Sequence, residues 1–97
     1  MVGVFVTFQY DNGVDTEAVT GIAESAAEQF RGFPGLRSKA FTVDTENGVA
    51  TNFYIWDSEE AARAFFNDQL RERVTGLYGV APTIRFVQIA ELVDNAH

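Results

Sequence analysis

Hydrophobic and polar positions alternate along several stretches of the chain, and this alternation predicts four β-strands. Residues 2–10, 36–43, 49–56 and 83–93 are rich in Val, Phe, Ile and Thr, which favour strands. The second and third stretches are separated by residues 45–48, which end in Asn-Gly. Because Asn-Gly between two strand patterns is a strong hairpin signal, these two strands are expected to pair antiparallel.

A helical spacing of apolar residues predicts helices in the two longer intervals. Asp15 or Thr16 can cap the first helix, whose apolar stripe is Val19, Ile22, Ala23, Ala26, Ala27 and Phe30. Asp57 is predicted to cap the second helix, whose buried face is Ala61, Ala62, Phe65 and Phe66. A further helical segment contains Leu70, Val74 and Leu77, and Gly79 and Pro82 end it.

The resulting order of elements is β-α-β-β-α-β. This order predicts an α+β, ferredoxin-like fold in which helices cover one face of an antiparallel sheet. No repeat or linker divides the chain, so residues 1–97 are predicted to form one domain. Residues 94–97 are polar and are predicted to form a flexible tail.

Composition excludes several classes of function. The net charge of −7 argues against nonspecific binding to nucleic acid, whose phosphates require Lys and Arg. There is no Cys, and the one His is His97, so thiolate and histidine metal sites and a Ser-His pair are not expected. No leader and no apolar stretch of membrane-spanning length is present, so a cytoplasmic protein without membrane contact is expected.

The predicted strands pose a packing problem on the face away from the helices. Val4, Val6 and Phe8, together with Phe53 and Ile55, are predicted to face the helices. The opposite face is then predicted to hold Phe5, Thr7, Gln9, Lys39, Phe41, Asn52, Tyr54, Trp56, Arg85, Val87 and Ile89. This set is too apolar for water and too polar for a core. A homodimer that packs two sheets face to face explains it, either as interface alone or as interface with a ligand cavity.

Three segments resemble the YdhR-like monooxygenase family. They are FPGLRSKAFT (residues 33–42), FYIWDSEEAARAFF (residues 53–66) and GLYGVAPTIRFVQI (residues 76–89), and their order and spacing match along nearly the whole chain. The family lies within the dimeric α/β-barrel superfamily, which includes antibiotic-biosynthesis monooxygenases. The resemblance implies a homodimer with a cavity between the sheet and helices of each subunit.

The resemblance also implies an activity. Characterised relatives oxygenate electron-rich polycyclic phenols or quinols without metal or flavin, so no cofactor is expected. Other members degrade haem, cyclise polyketides or only bind ligands. Haem degradation requires a His near Thr75, and the chain has none there.

Three residues are candidates for the chemistry. Lys39 would stabilise the negative charge that develops when a carbanion or phenolate reacts with dioxygen, or it could form a salt bridge. Asn52 would orient a substrate oxygen or a peroxide, or it could be a polar residue beside the hairpin. Tyr54 would hydrogen-bond the substrate or relay a proton, or it could be a buried Tyr bonded to a backbone carbonyl.

Five further residues are candidates for binding the substrate. Trp56 would stack on a planar aromatic ligand, and the others are Phe5, Thr7, Phe41 and Arg85; each could instead serve packing or a surface contact. The hypothesis is therefore a cofactor-independent monooxygenase that acts on an aromatic, quinol-like or anthrone-like small molecule. The alternatives are a non-catalytic small-molecule-binding protein and a polyketide-cyclase-like enzyme.

Overall fold

A computed structural model describes residues 1–95 and shows a four-stranded antiparallel sheet packed against three helices. The elements are β1 (Val2–Gln9), α1 (Thr16–Phe30), β2 (Leu36–Asp44), β3 (Val49–Trp56), α2 (Glu59–Phe65), α3 (Asp68–Tyr78) and β4 (Thr83–Gln88). The strand order in the sheet is β2-β3-β1-β4. The α+β, ferredoxin-like prediction is therefore confirmed. Within residues 1–95, no helix is both long enough and apolar enough to cross a membrane.

β4 is shorter than predicted, because it ends at Gln88 rather than at residue 93. Its partner β1 begins at Val2, which pairs with Gln88, and the Ile89 amide donates a last hydrogen bond to the Met1 carbonyl. Beyond that point β1 offers no further backbone partner. The flexible tail at residues 94–97 stays a prediction, and residues 96 and 97 lie outside the described residues.

The register between β1 and β3 shows that the predicted facing of β3 is wrong. Tyr54 lies opposite Val4, and Asn52 lies opposite Val6. Directly paired residues of an antiparallel sheet share a face. Tyr54, Asn52 and Trp56 therefore face the helices, and Phe53 and Ile55, which were predicted to do so, face away.

The facing of side chains in β2 is set by that in β3, because Lys39 pairs with Tyr54 and Phe41 pairs with Asn52. Both residues thus face the helices, which corrects the prediction that placed them on the open face. A bulge at Arg37 shifts the register, so that Leu36 also pairs on the helix-facing side.

Large aromatic rings fill the helix-facing side of the sheet. Trp56 is 1% exposed and Phe8 is fully buried. The Trp56 ring packs edge-on against Phe33 and Phe66, at centroid distances of 6.0 Å in both cases, and lies 5.2 Å from Phe65. Such rings fill the space between sheet and helices better than aliphatic groups do, because each buries a large area.

The open face of the sheet keeps an apolar patch, which contains Phe5, Val87 and Ile89 as predicted and also Phe53 and Ile55, which were predicted to face the helices. Phe5 packs on Phe53 with ring centroids 4.6 Å apart. A Cβ added at Gly3 would lie 3.1 Å from side-chain atoms of Phe53, Val87 and Ile89. These residues and Ile55 form what we call the open-face patch.

The helix ends and faces follow local sequence with two corrections. Asp15 caps α1 as predicted, by accepting a hydrogen bond from the Ala18 amide. In α3 the buried positions are Leu70 and Tyr78, whereas Leu77, which the sequence pattern grouped with Leu70 and Val74, is 55% exposed. The buried stripe of α3 runs from Leu70 through Val74 in steps of four residues, which places Tyr78 on the buried face.

The cap of α2 is Ser58 rather than the predicted Asp57. The Ser58 hydroxyl accepts a hydrogen bond from the Ala61 amide at 3.1 Å. Asp57 instead lies at the end of the sheet, because its backbone amide donates a hydrogen bond to the Gly35 carbonyl with an N···O distance of 2.9 Å. The chain therefore turns one residue later than predicted.

Replacing the cap tests this assignment. Ser58→Ala should lower the free energy of unfolding by about 1 kcal/mol, because the Ala61 amide loses its acceptor. Asp57→Ala, the matched control, should change it by less than about 0.5 kcal/mol, because only an exposed contact of 3.6 Å to Arg37 is lost. Urea unfolding at pH 7 measures both. A larger loss for Asp57→Ala would assign the cap to Asp57.

Candidate functional site

A cavity of about 130 Å³ lies between the sheet and the helices. Its aromatic walls are Phe30, Phe33, Phe41, Tyr54, Phe65 and Tyr78. Lys39, Asn52 and Arg73 add polar groups, and no Asp or Glu of residues 1–95 lines the cavity. An aromatic cavity with a few polar groups is the usual form of a small-molecule site.

Lys39 reaches this cavity from β2 and lies among three rings. Its Nζ atom is 3.5 Å from the centroid of Phe30, 4.2 Å from that of Phe41 and 4.3 Å from that of Tyr54. The ring faces attract a cation but accept no conventional hydrogen bond from it. No hydrogen bond or ion pair joins the Lys39 side chain to another residue of the described chain, 1–95.

This environment changes the acidity of the Lys39 side chain. Burial without a carboxylate partner lowers the pKa of Lys39 from its ordinary value of 10.5 to about 7. Near neutral pH the group is therefore present both as an ammonium ion and as a free amine.

Asn52 is the buried polar residue at the other side of the cavity, and it is 3% exposed. Its amide donates a hydrogen bond to the Tyr78 hydroxyl at 3.1 Å. Its Oδ1 atom is buried and has no hydrogen-bond partner within residues 1–95. A buried acceptor without a partner is costly, so a ligand that donates a hydrogen bond there would be favoured.

Tyr78 holds this amide in place. Its ring stacks on Phe8 with centroids 3.8 Å apart, and its backbone carbonyl accepts a hydrogen bond from the Tyr10 hydroxyl at 2.9 Å. Burial raises the pKa of Tyr78, and the Asn52 amide opposes that effect. The hydroxyl therefore stays protonated at neutral pH.

Tyr54 is also protonated at neutral pH. Burial, together with the Tyr78 hydroxyl, raises the pKa of Tyr54 well above its ordinary value of 10.0, and the Asn52 amide only partly opposes this. A tyrosine in this state can donate a hydrogen bond but is a poor base. The shift is opposite to the one that a role as base would need.

Trp56 lies behind Tyr54 and does not line the cavity. The two rings are stacked with centroids 6.0 Å apart and an angle of 12°. Its indole N–H is buried without a hydrogen-bond partner in the described chain. A stacking contact between Trp56 and a ligand therefore stays a prediction.

The structure separates the predicted site residues into two groups. Lys39, Phe41, Asn52 and Tyr54 meet in the cavity, and Trp56 supports them. Phe5 lies on the opposite face, where the Arg85 guanidinium is 5.0 Å from its ring, and Thr7 shares that face because it is two residues from Phe5 in β1. These three residues cannot line the same cavity as Lys39.

Several cavity residues come from the helices and were not predicted as site residues. Phe30 and Phe65 belong to the predicted buried faces of α1 and α2, so helical spacing pointed to them as core. The four-residue step from Leu70 through Val74 could have identified Tyr78. Nothing in the local pattern distinguishes Arg73 from the other arginines of the chain.

An outer groove adjoins the cavity. Its volume is about 400 Å³, and it shares Phe30, Lys39 and Phe41 with the cavity. Lys39 therefore stands at the junction of the two spaces. Within residues 1–95, no group of three or more His, Cys, Asp or Glu is placed to hold a metal ion.

Comparison with known proteins gives a family and a set of similar structures. The family described as "Putative mono-oxygenase ydhR" matches residues 4–88. No curated protein matches the chain.

Solved structures share the fold. A monooxygenase from the gene ActVA-Orf6 of Streptomyces coelicolor, in complex with the ligand nanaomycin D, is 25% identical with a TM-score of 0.72, covering 98% of this chain and 92% of that one. A protein of Deinococcus radiodurans, described as a "putative antibiotic biosynthesis monooxygenase", is 14% identical with a TM-score of 0.67 and full coverage of both chains. One of the same description from Caulobacter crescentus CB15 is 18% identical, with a TM-score of 0.67 and coverage of 93% and 90%.

The buried amine should make stability depend on pH. In the unfolded chain Lys39 binds its proton up to about pH 10.5, whereas in the folded chain it loses the proton above about pH 7. The free energy of unfolding should therefore rise as the pH rises from about 7 to about 10.5. Below pH 7 the folded protein bears the full cost of burying the charged amine. Lys39→Met removes the penalty and should stabilise the protein at pH 7 by on the order of 2 kcal/mol, after allowance for partial exposure.

Denaturant unfolding of both proteins at pH 7 and pH 9.5 measures this difference. The stability that Lys39→Met gains over the wild type should be smaller at pH 9.5 than at pH 7, since the amine of the folded wild type is then neutral. An advantage that is independent of pH would show that packing, and not the charge of Lys39, is responsible.

Proposed function

The chain belongs to the ydhR family of mono-oxygenases, and from this premise we propose that it oxygenates an aromatic, quinol-like or anthrone-like small molecule without a bound cofactor. The observation that carries the proposal is the cavity itself. Aromatic walls surround two polar atoms that lack partners in the described chain, the Nζ atom of Lys39 and the Oδ1 atom of Asn52.

These two atoms match the needs of a phenolic substrate. The Asn52 oxygen would accept a hydrogen bond from a substrate hydroxyl, because nothing in residues 1–95 competes for it. Lys39 in its ammonium form would stabilise negative charge on the substrate, and Phe41 would form a wall. Tyr54 would donate a hydrogen bond, since its raised pKa keeps it protonated.

The substrate itself supplies the electrons in this proposal. An activated CH₂ group loses a proton, and the resulting carbanion transfers electrons to dioxygen to give a peroxide at that carbon. Cleavage of the O–O bond and loss of the second hydrogen leave a carbonyl group and one molecule of water. One CH₂ and one O₂ thus give one C=O and one H₂O.

A polycyclic ligand is supported by a structural relative. The Streptomyces coelicolor monooxygenase was solved in complex with nanaomycin D. It is 25% identical to this chain, of which the comparison covers 98%. The inner cavity of about 130 Å³ is smaller than the roughly 300–1,000 Å³ of typical ligand sites. We therefore place only the reacting ring there and extend the ligand into the outer groove beside Lys39.

The open-face patch supports assembly as a homodimer. Phe5, Phe53, Val87 and Ile89 form an apolar surface that no helix of residues 1–95 covers. Packing two such sheets against each other would remove this surface from water. The cavity lies on the other side of each sheet, so each subunit would hold its own site.

Oxygenation is tested with anthrone, which carries an activated CH₂ group, in air-saturated buffer, by following oxygen uptake and the formation of anthraquinone. The wild type should accelerate both above the protein-free rate. Lys39→Met should lower kcat/KM by about 10²-fold, because a preorganised charge is lost. Lys39→Arg should keep more of the rate because it keeps the charge.

Arg71→Met provides a matched control, because it removes an exposed cation of α3 that does not line the cavity. It should leave the rate unchanged. Equal rates with and without protein would exclude the oxygenase. Conversion of a substrate without oxygen uptake would instead indicate a cyclase, and binding without turnover would indicate a binding protein.

Light scattering after gel filtration tests the dimer. The wild type should have twice the chain mass of 10.7 kDa. Val87→Lys should shift the protein to monomer, because it places a charge in the open-face patch. Thr20→Lys, which adds the same charge on the exposed side of α1, should leave the dimer intact. A monomeric wild type would exclude this interface.

A further inference from the structure

Lys39 is the only lysine of the chain, because the other six basic residues are arginines. The single side-chain amine is therefore not on the general surface but in the cavity. Lys differs from Arg in one respect that matters here, since only its side chain can lose a proton and become a nucleophile in a protein.

The surroundings of the Lys39 amine are those of a nucleophile rather than of an ion pair. The ring centroids of Phe30, Phe41 and Tyr54 lie 3.5–4.3 Å from Nζ, and no carboxylate of residues 1–95 lines the cavity or the outer groove. The ring faces attract a cation, but no hydrogen bond or ion pair of residues 1–95 fixes the ammonium form. Lys39 lines the outer groove as well as the cavity.

We propose that Lys39 is a covalent capture site for aromatic aldehydes and ketones, which it binds as an imine inside the cavity. The free amine attacks the carbonyl carbon, and a C–N bond forms while the carbonyl oxygen takes up a proton. Loss of the resulting hydroxyl as water leaves a C=N bond. One carbonyl compound and one amine thus give one imine and one water, with no oxidant or reductant.

The cavity sets the class of carbonyl compound. Three ring faces around Nζ favour a planar aromatic group next to the carbonyl. The tyrosine hydroxyls of Tyr54 and Tyr78 remain protonated, so they can donate hydrogen bonds to the leaving oxygen. Among residues 1–95, Arg73 is the other charged residue that lines the cavity.

The capture needs the free amine, which gives it a characteristic pH dependence. The lowered pKa, about 7, makes a large fraction of the amine available at neutral pH. Within residues 1–95, the titratable or charged groups that line the cavity with Lys39 are Tyr54, Tyr78 and Arg73, and Arg31 and Arg37 line the outer groove beside it. Burial raises the pKa of both tyrosines, so they stay protonated at neutral pH. Imine formation should therefore increase through about pH 7.

Reductive trapping tests the proposal. The full-length protein is incubated anaerobically with 2-naphthaldehyde and sodium cyanoborohydride at pH 7.5, and the stable amine product is mapped by peptide mass spectrometry. Lys39 should be labelled at least about tenfold faster than in guanidinium-unfolded protein, where its pKa is the ordinary one. Lys39→Arg should carry no label at residue 39.

The α-amino group of Met1 provides an internal control, because Met1 does not line the cavity. Labelling of Lys39 should saturate with aldehyde concentration and be inhibited by 2-methylnaphthalene, whereas labelling of Met1 should show neither effect. Labelling confined to Met1, or a Lys39 rate that unfolding does not reduce, would overturn the proposal.

The capture and the oxygenation can fail separately. Trapping requires no oxygen, and oxygen uptake requires no imine. Lys39→Arg keeps the charge that oxygenation would use but cannot form an imine. Retained oxygenation with lost trapping in this variant would support both roles, and trapping in a wild type that shows no oxygenation would leave the capture site standing.

Discussion

The pairing of β1 with β3 is the constraint on which the rest of the structure depends. Because Val4 lies opposite Tyr54 and Val6 lies opposite Asn52, one register decides which side chains meet the helices. β2 then pairs with β3 and brings Lys39 beside Tyr54. A shift by one residue would exchange the two faces and disperse the cavity. The position of the polar groups is thus a property of backbone pairing more than of any contact that they make themselves.

The cavity combines groups that a purely structural core would avoid. Within the part of the chain that the structure describes, Asn52 is buried with its Oδ1 atom unpaired, and Lys39 lies among rings without a carboxylate partner. Each arrangement costs stability, because buried polar groups lose their hydration. Tyr78 limits the cost by accepting a hydrogen bond from Asn52, and its stacking on Phe8 anchors it to the sheet. Such costs are concentrated where the protein would bind a ligand, which is typical of functional sites.

Sequence patterns predicted the elements better than they predicted the faces. The hairpin, the helical stripes and the α+β order follow from local chemistry, such as Asn-Gly in the turn and Asp15 at the helix start. The facing of β3 did not, because Phe53 and Ile55 are as apolar as Tyr54 and Trp56, so alternation alone allows both choices. Burial of Asn52 could be understood only once Tyr78 was placed opposite it. Local patterns cannot give a register that long-range pairing and ring size decide.

The short length of helices α2 and α3 affects how readily these parts of the molecule open locally. They contain 7 and 11 residues, lengths at which an isolated helix is unstable in water. Their persistence therefore rests on docking of Phe66 and Leu70 onto the sheet, while the strands are held by continuous ladders. Amide protons of α2 and α3 are thus the ones that should exchange through local openings, well below the free energy of global unfolding. These two helices, which supply Phe65, Leu70 and Tyr78 to the cavity lining, are in this sense less protected than the sheet.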